Sequence, residues 1–497
     1  MTFTAVSAPL SSLSAELAAF IIFRDPPRYK ESIRTLQGFI GWKSLTPVME
    51  RDFAAKEGET LLVYSESPKV RRVLLVGAGD AKSFTLERLR RAAASAAKRA
   101  KALKCSSVLL HPGAAADVLD ADAGSMGTAI AEGALLSMYK FDRYLSTKST
   151  PAPKKFTVAA HGASFAAAMN AGLRRGIVLA EAVRHARDLA NAPGSEIYPE
   201  TLARDAQASG RRHGFSVRVL TEREILRAKM GGVLAVSQGS VRKPRFIIME
   251  HGRRFASRGT VVLVGKGVTF DTGGISIKPA ANMAEMKMDM SGAAAVIGTM
   301  EASARLKVKR HIVGLVPAVE NMPSGSAVKP GDIVRHLNGK TSEVDNTDAE
   351  GRLILADALS YAVRYKPSLV VDLATLTGAV VVALGHYATG MMGNDTAVME
   401  SMSAAGESTY ERVWPLPLFD EYEKLIKSDV ADVKNVGGRW AGAITAGWFL
   451  KKFIGDHPWV HLDIAGTAIL EADQDYTPRG GSGVGVRLLT EFLRRWK

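Results

Sequence analysis

Short apolar runs alternate with longer stretches of helical periodicity along most of the chain. In the first third the apolar runs predict buried strands, and the alanine-rich stretch Leu86–Leu103 predicts a helix. The strands predicted there are Leu61–Tyr64, Arg72–Val76, Val108–Leu110 and Phe156–Ala159. Strands separated by helices indicate a small α/β unit with a largely parallel or mixed sheet.

The same alternation resumes after a long predicted helix, from about Ala166 to Leu189, that stops at Asn191-Ala192-Pro193-Gly194. The later elements predicted are helices over Ser291–Ala304 and Leu353–Val363 and strands over Phe246–Met249, Val261–Val264, Ile312–Val316, Leu369–Val371 and Val460–Asp463. At 497 residues the chain exceeds one typical core. We therefore predict an N-terminal α/β domain, residues 1–168, and a larger C-terminal α/β domain, residues 169–497, entered by the linking helix. The larger domain should have a central mixed sheet flanked by helices.

The chain has a single cysteine, Cys105. It excludes an intramolecular disulfide and a thiolate-rich metal site, and it favours a reducing compartment, so we predict the cytoplasm. No secretory signal is expected, because no positive residue precedes Arg24 and Glu16 interrupts the only apolar stretch there. No uninterrupted apolar run reaches about 20 residues, so no membrane span is predicted.

Positive charge is concentrated in the first half of the chain. Residues 1–250 carry 37 Lys and Arg against 23 Asp and Glu, whereas residues 251–497 carry 28 against 27, for a formal net charge of +15. The densest basic stretch lies in the predicted helix Leu86–Leu103 and has no interleaved aromatic residues for base stacking. We favour a solvated basic surface and keep a basic DNA-binding architectural role as the alternative function.

Several glycines and charged residues follow the predicted strand Val261–Val264. They form the segment Gly265-Lys266-Gly267-Val268-Thr269-Phe270-Asp271-Thr272-Gly273-Gly274. Glycines after a strand are typical of a tight loop where the backbone approaches a ligand. A phosphate-binding loop does not fit because Gly267 follows Lys266, and the dinucleotide fingerprint fails because Phe270 occupies its third glycine position.

A second segment, Asn346-Thr347-Asp348-Ala349-Glu350-Gly351-Arg352-Leu353, places two carboxylates and a guanidinium at alternate positions. In an extended segment alternate residues project to one side, so we expect Asp348, Glu350 and Arg352 to share a face. The ordinary alternative is that the two acids only favour the dipole of a helix beginning near Leu353.

Four carboxylates from three separate segments form the candidate centre: Asp271, Asp289, Asp348 and Glu350. In one pocket they would repel and raise one another's pKa, which two divalent cations would relieve. A two-metal site can polarise a carbonyl and generate hydroxide near neutral pH. Lys278 could stabilise an oxyanion, and Arg352 could hold a small anion or a substrate carboxylate.

These motifs resemble those of the leucyl aminopeptidases, the cytosol aminopeptidase family of two-metal exopeptidases. The octapeptide Asn346–Leu353 is similar to the family signature, and the segment from Val264 to Lys278 resembles its lysine and aspartate metal-binding segment. Further similar stretches are Lys287–Gly292, Asp188–Pro193, Asp372–Gly378 and His461–Gly466. The resemblance covers roughly residues 180–497 and predicts an aminopeptidase that removes N-terminal residues, leucine and other mainly apolar ones, from peptides.

The resemblance also implies a role for each charged residue. Lys266, Asp271, Asp289 and Glu350 would bind one metal ion, and Asp271, Asp348 and Glu350 the other. The ions would be Mn²⁺ or Zn²⁺, with Mg²⁺ or Co²⁺ as alternatives at the exchangeable site. Lys278 would polarise the scissile carbonyl, and Arg352 would hold a bicarbonate ion that acts as general base.

For substrates and partners, the resemblance implies peptides with a free N-terminus, whose α-amine binds one metal. The residues implied to line the first side-chain pocket are Met286, Thr375, Gly378, Ala465 and Ala468. Ala468 is smaller than the methionine at the matching position in some members, which implies a roomier pocket. A homohexamer, built as a dimer of trimers, is implied. The N-terminal domain is similar in pattern to the macro fold, and we predict that it serves assembly or regulation.

Overall fold

The computed structural model describes residues 1–41, 47–147 and 149–496. The chain forms two compact units. The first comprises Met1–Glu181 and Ala472–Pro478, and the second comprises Ala182–Glu471 and Arg479–Lys497. The predicted boundary between residues 168 and 169 falls within a single helix, Ala163–Asn191.

The first unit is built on a six-stranded sheet in which all neighbouring pairs are parallel except one. Its strands are β1 (Thr2–Val6), β2 (Leu17–Phe23), β3 (Thr60–Tyr64), β4 (Arg72–Gly79), β5 (Ser107–His111) and β6 (Lys155–Ala159). Their order is β1-β6-β5-β2-β4-β3. The helices are α1 (Pro26–Ile40), α2 (Pro47–Asp52), α3 (Leu86–Ala102), α4 (Ala115–Val118), α5 (Ala123–Leu136) and the start of α6 (Ala163–Asn191). The pattern confirms the predicted α/β class.

Helix α3 departs from the solvated basic face predicted for it. Arg90 is buried, and its Nε lies 2.6 Å from the Glu132 carboxylate. Arg91 pairs with Glu87 at 3.0 Å. Part of the basic stretch is thus neutralised inside the unit, because an unpaired guanidinium could not be buried there. The late segment Ala472–Pro478 joins this network, since the Tyr476 hydroxyl donates to Glu87 at 3.0 Å.

The second unit contains a nine-stranded mixed sheet, a three-stranded sheet and a two-stranded sheet. Its strands are β7 (Ser216–Leu220), β8 (Arg245–His251), β9 (Thr260–Gly265), β10 (Gly267–Asp271), β11 (His311–Asn321), β12 (Ile333–Arg335), β13 (Thr341–Glu343), β14 (Leu369–Ala374), β15 (Thr389–Gly393), β16 (Val413–Pro415), β17 (Val433–Lys434), β18 (Trp459–Asp463), β19 (Ile469–Leu470) and β20 (Gly480–Gly481). The large sheet has the order β16-β15-β18-β14-β9-β11-β8-β7, and β10 also pairs with β11.

Helices flank this sheet, as predicted. They are α7 (Pro199–His213), α8 (Glu222–Arg227), α9 (Gly231–Ser237), α10 (Ser291–Arg305), α11 (Gly351–Ala362), α12 (Gly378–Leu384), α13 (Thr396–Thr409), α14 (Gly442–Ile454) and α15 (Val486–Arg495). Helix α10 contacts β9, β11 and β14. In the described part of the chain, no helix has both the length and the apolar character needed to cross a bilayer.

Five parallel strands end at one edge of the large sheet. Strands β10, β11, β9, β14 and β18 pair in parallel, so their carboxyl ends meet there. In open α/β sheets ligands bind at this edge. The polar residues that follow or end these strands are Lys266, Asp271, Asn321, Thr375 and Asp463. The fold therefore brings distant charged segments to one place.

Away from that edge, a half-buried histidine, His185, connects three helices through its hydrogen bonds. His185 Nδ1 lies 2.9 Å from Glu301, and its Nε2 lies 2.7 Å from Asp205. His213 and Arg305 also contact Glu301. Burial opposes the charge of His185, but the two carboxylates outweigh it and raise its pKa to about 10. Burial likewise opposes the charge of Glu301, but His185 outweighs it and lowers the pKa of Glu301 to about 2.

This network predicts a stability that falls at alkaline pH. The folded pKa of His185 exceeds its ordinary value of 6.5, so its contribution is complete below that pH and is lost as pH rises toward about 10. When the pH is raised from 6 to 9, the free energy of unfolding of the natural protein should fall by on the order of 3 kcal/mol more than that of the His185→Gln variant. Urea unfolding at both pH values measures this, and equal losses in the two proteins would contradict it.

Candidate active site

Lys266 lies between β9 and β10 at the carboxyl edge of the sheet. Its backbone N–H donates to Leu373 O and its carbonyl accepts from Ala293 N, both at 2.9 Å. Its ammonium lies 2.7 Å from Asp289 Oδ2 and 2.8 Å from Glu350 Oε1, and it donates to Thr375 O at 2.9 Å. The side chain is buried, so these oxygens replace its water shell.

Two glycines lie close to these charges. A Cβ added at Gly351 would lie 2.6 Å from Lys266 Cε, so a larger residue there would force the Lys266 side chain to shift from its carboxylate partners. Gly273 has a φ of +87°, and a Cβ there would lie 3.0 Å from Asp348 Oδ1 and 2.4 Å from Ser276 O. The segment predicted as one glycine loop is therefore a short strand, β10, followed by this turn.

Asp271 ends β10 and is fixed by three donors. Its Oδ1 accepts from Gly273 N and from Asn321 Nδ2, both at 2.9 Å, and its Oδ2 lies 2.9 Å from Lys278 Nζ. The Lys278 ammonium also contacts the carboxylate of Asp348. Unlike Lys266, the Lys278 side chain keeps 22% of its surface exposed, so it can reach a molecule entering from solvent.

Three carboxylates converge closely enough to share metal ions. One oxygen from each of Asp271, Asp348 and Glu350 lies within 4.8 Å of the others. Asp289 adjoins this group through Lys266, and its Oδ1 accepts from Thr375 Oγ1 at 2.6 Å. The structure thus brings together six predicted residues, and their individual roles stay predictions.

The electrostatics of the cluster favour added positive charge. Burial raises the pKa values of Asp289, Glu350 and Asp348. The nearby lysines lower these values but offset the effect of burial only in part. For Lys266, burial lowers the pKa but the surrounding carboxylates outweigh it and raise it. Among the described residues, Glu350 Oε2 is buried without a hydrogen-bond donor. A buried oxygen of this kind, beside two more carboxylates, fits divalent cations that prefer oxygen ligands.

The segment Asn346–Glu350 is a turn, which corrects the extended conformation expected for it. The Asn346 side chain accepts from Asp348 N at 2.8 Å, and its backbone carbonyl accepts from Ala349 N at 3.2 Å. Asparagine stabilises turns in this way. Helix α11 then begins at Gly351, two residues before the predicted start. The carboxylates converge because of this turn and not because of strand alternation.

Arg352 lies on the first turn of α11 and is buried. Its Nη1 donates to Asn435 O at 2.6 Å, whereas its Nε has no hydrogen-bond partner in the described part of the chain. Burial lowers the pKa of Arg352 to about 10, although Glu350 and Asp463 partly counter this. A buried guanidinium with a free N–H suits a small anion.

The five residues predicted for a substrate pocket lie around Asp463 and Asp289. Asp463 accepts from Leu376 N at 3.1 Å, Thr377 Oγ1 at 2.6 Å and Ala465 N at 3.2 Å, which joins the segments of Thr375, Gly378 and Ala465. Met286 O accepts from Asp289 N at 3.4 Å. Ala468 is buried, and its amide donates to Ile464 O at 2.8 Å. The assignment of all five to a pocket stays a prediction.

Three residues that hold the site together were not predicted from the sequence: Asn321, Asn435 and Asp463. Asn321 donates to Asp271 Oδ1 and, at 3.0 Å, to Thr347 O, so it joins both carboxylate segments. Asn435 and Asp463 hold other parts of the site. The available signal for Asn321 and Asp463 was a polar residue at the end of a buried strand, whereas Asn435 carries no such mark.

Comparison with known families gives a match over most of the chain. The model described as "Cytosol aminopeptidase family, catalytic domain" matches residues 184–490, and the one described as "Cytosol aminopeptidase family, N-terminal domain" matches residues 43–148. The first match contains every residue of the site described above.

Individual relatives agree with these matches. A "Probable cytosol aminopeptidase" of Roseiflexus castenholzii is 46% identical over 90% of this chain and 91% of its own length. Another, from Geotalea uraniireducens, is 48% identical over 86% of each chain. The solved structure "Bottromycin maturation enzyme BotP in complex with Mn" is 34% identical, with a TM-score of 0.86 over 97% of this chain and 99% of that chain. These matches give no support to the DNA-binding alternative.

Proposed function

Because the chain belongs to the cytosol aminopeptidase family, whose members are peptidases, we propose that it is a two-metal aminopeptidase. It removes N-terminal residues, leucine and other mainly apolar ones, from peptides. The observation that carries this proposal is the convergence of Asp271, Asp348 and Glu350 within 4.8 Å at the carboxyl edge of the sheet.

The donor set fits two divalent cations. Lys266, Asp271, Asp289 and Glu350 would hold one, and Asp271, Asp348 and Glu350 the other. When bound, the cations supply Lewis-acid activation of the scissile carbonyl and of water. We propose Mn²⁺ or Zn²⁺, with Mg²⁺ or Co²⁺ at the exchangeable position. Lys266 is held here as an ammonium ion by Asp289 and Glu350, and a nearby divalent charge would favour its neutral form.

Two further side chains act on the substrate side of the cluster. Lys278, half-buried beside Asp271 and Asp348, donates to the scissile carbonyl oxygen and holds the negative charge that develops on it. Arg352 binds a bicarbonate ion through the guanidinium N–H groups that are not used by Asn435. That ion, when bound, supplies the general base that neither carboxylate motif provides.

The restriction to peptide N-termini follows from the same charges. The free α-amine of the substrate would bind one of the cations that the carboxylates hold, and an acylated amine would not, because it has lost its basic lone pair. Met286, Thr375, Gly378, Ala465 and Ala468 line the pocket for the first side chain. A Cβ added at Gly378 would meet no atom within 4 Å, and Ala468 is small, so the pocket accepts residues larger than leucine.

Metal removal should abolish hydrolysis of leucine p-nitroanilide, and Mn²⁺ or Zn²⁺ should restore it. The N-acetylated substrate should stay uncleaved in every condition, because it cannot offer a free amine. The measurement is release of p-nitroaniline by chelator-treated, repurified protein, with the untreated protein as control. Activity that survives metal removal, or cleavage of the acetylated substrate, would contradict the proposal.

We further propose that six copies assemble as a dimer of trimers in the cytoplasm. Several large apolar side chains of the second unit are exposed in one chain, among them Val382, Tyr387 and Trp414, and self-association would cover such surface. Light scattering after size exclusion should give the mass of six chains. The mass of a single chain would reject this assembly and leave the catalytic proposal standing.

A further inference from the structure

A fully buried asparagine, Asn435, lies directly behind the carboxylate cluster. Asn435 follows β17, which runs parallel to β13, and its backbone N–H donates to Glu343 O at 2.9 Å. This pairing puts Asn435 beside the segment that leads from β13 into the turn at Asn346–Glu350. The fold therefore brings it to that turn from almost ninety residues away along the chain.

Both ends of the Asn435 side-chain amide bind the backbone of that turn. Its Oδ1 accepts from Asp345 N at 2.8 Å and from Asn346 N at 3.3 Å. Its Nδ2 donates to Asn346 O at 2.7 Å and to Ala349 O at 3.3 Å. The four bonds fix the backbone on both sides of Asp348 and immediately before Glu350.

The backbone of the same residue orients the guanidinium. Arg352 Nη1 donates to Asn435 O at 2.6 Å. One buried residue thus holds the two carboxylates and the arginine of the signature segment in a single arrangement. Among uncharged side chains, only the amide of Asn or Gln combines two N–H donors with an oxygen that accepts two bonds, as all four bonds require.

We propose that Asn435 is a positioning residue that sets the affinity of the carboxylate cluster for divalent cations. The inference rests on the proposed metal-dependent function. Groups that orient metal ligands without touching the metal typically change its affinity by about 10- to 100-fold. A purely structural role would instead lower stability and leave the affinity of the folded protein unchanged.

The test is calorimetric titration of the metal-free, full-length protein with Mn²⁺ at a temperature where every variant is folded. Asn435→Asp keeps the volume and both acceptor positions but removes the two donated bonds. Asn435→Ser is a second, smaller replacement that keeps the test valid if the first fails to fold. For both, we expect the Mn²⁺ dissociation constant to rise about 10- to 100-fold.

Asn191→Asp is the matched control. Asn191 is also buried, and its side-chain amide donates to Arg187 O at 2.8 Å and accepts from Gly481 N at 2.9 Å, and neither of these bonds involves the Asn346–Glu350 turn. It should lower the thermal midpoint and leave the Mn²⁺ affinity unchanged.

The possible outcomes separate the two proposals. Wild-type affinity in both Asn435 variants, with thermal midpoints lowered as in Asn191→Asp, would overturn the positioning role and leave the peptidase function intact. A natural protein that binds Mn²⁺ but hydrolyses no peptide would overturn the proposed function. The effect of Asn435 on Mn²⁺ affinity would still be measurable in that case.

Discussion

Replacing Glu350 by glutamine should abolish peptide hydrolysis and weaken metal binding by more than about 100-fold, beyond the usual effect of groups outside the ligand set. Glu350 is, with Asp271, one of two carboxylates proposed to bind both ions, and it adjoins Asp271 and Asp348 on one side and the Lys266 ammonium, at 2.8 Å, on the other. Glutamine keeps the shape and removes the negative charge, so Lys266 would lose one of its two carboxylate partners. The measurements are metal content after dialysis and kcat on leucine p-nitroanilide.

Glu411→Gln is the matched control for this change. Glu411 is also buried, and its Oε1 accepts from Arg487 Nε at 2.9 Å. Removing that charge should lower stability, because the buried guanidinium of Arg487 then faces a neutral amide in place of a carboxylate, while metal content and kcat stay near the wild-type values. If Glu350→Gln kept full metal content and turnover, the shared-ligand assignment would be wrong.

Replacing Lys278 by alanine should lower kcat by about 10²- to 10³-fold, the usual effect of removing one donor to a developing oxyanion. Both metal ions should stay bound, because Lys278 contributes no ligand. Its ammonium contacts Asp271 and Asp348 at the entrance of the cluster, where a substrate carbonyl would approach. The KM should change little, since the donor acts mainly on charge that forms during the reaction.

Lys329→Ala tests whether loss of any lysine has this effect. Lys329 is exposed and pairs with Asp332 at 3.3 Å, an interaction worth little in water. Its replacement should leave kcat unchanged. Loss of metal from Lys278→Ala, in place of loss of turnover, would move Lys278 from substrate activation to metal retention.

The sequence was sufficient to predict the fold class because buried parallel strands leave continuous apolar runs such as Val261–Val264. The same property hid the central strand Leu17–Phe23, all seven residues of which are buried. A short run without alternation does not distinguish a buried strand from a buried helix. Strand β10 was missed because its flanking glycines suggested a loop, whereas it pairs with β11 and ends at Asp271.

Within the candidate site, charge decided what could be predicted. Asp271, Asp289, Asp348 and Glu350 were identifiable because acids in apolar surroundings are costly, and the structure brings them together. Asn435 could not be found, because an asparagine in an ordinary sequence context gains its role only from backbone groups far away in the chain. These partners come next to Asn435 only when strands β13 and β17 pair, so the residues around Asn435 in the sequence do not reveal them.

The segment Ala472–Pro478 has a consequence for biosynthesis. It belongs to the first unit, and its Tyr476 hydroxyl binds the buried Glu87 carboxylate, yet the ribosome makes it almost three hundred residues after Glu181, where the first part of that unit ends. The N-terminal unit therefore cannot complete its native contacts until Ala472–Pro478 has been translated. A fragment ending at Glu181 should consequently be more susceptible to proteases than the same residues within the finished chain.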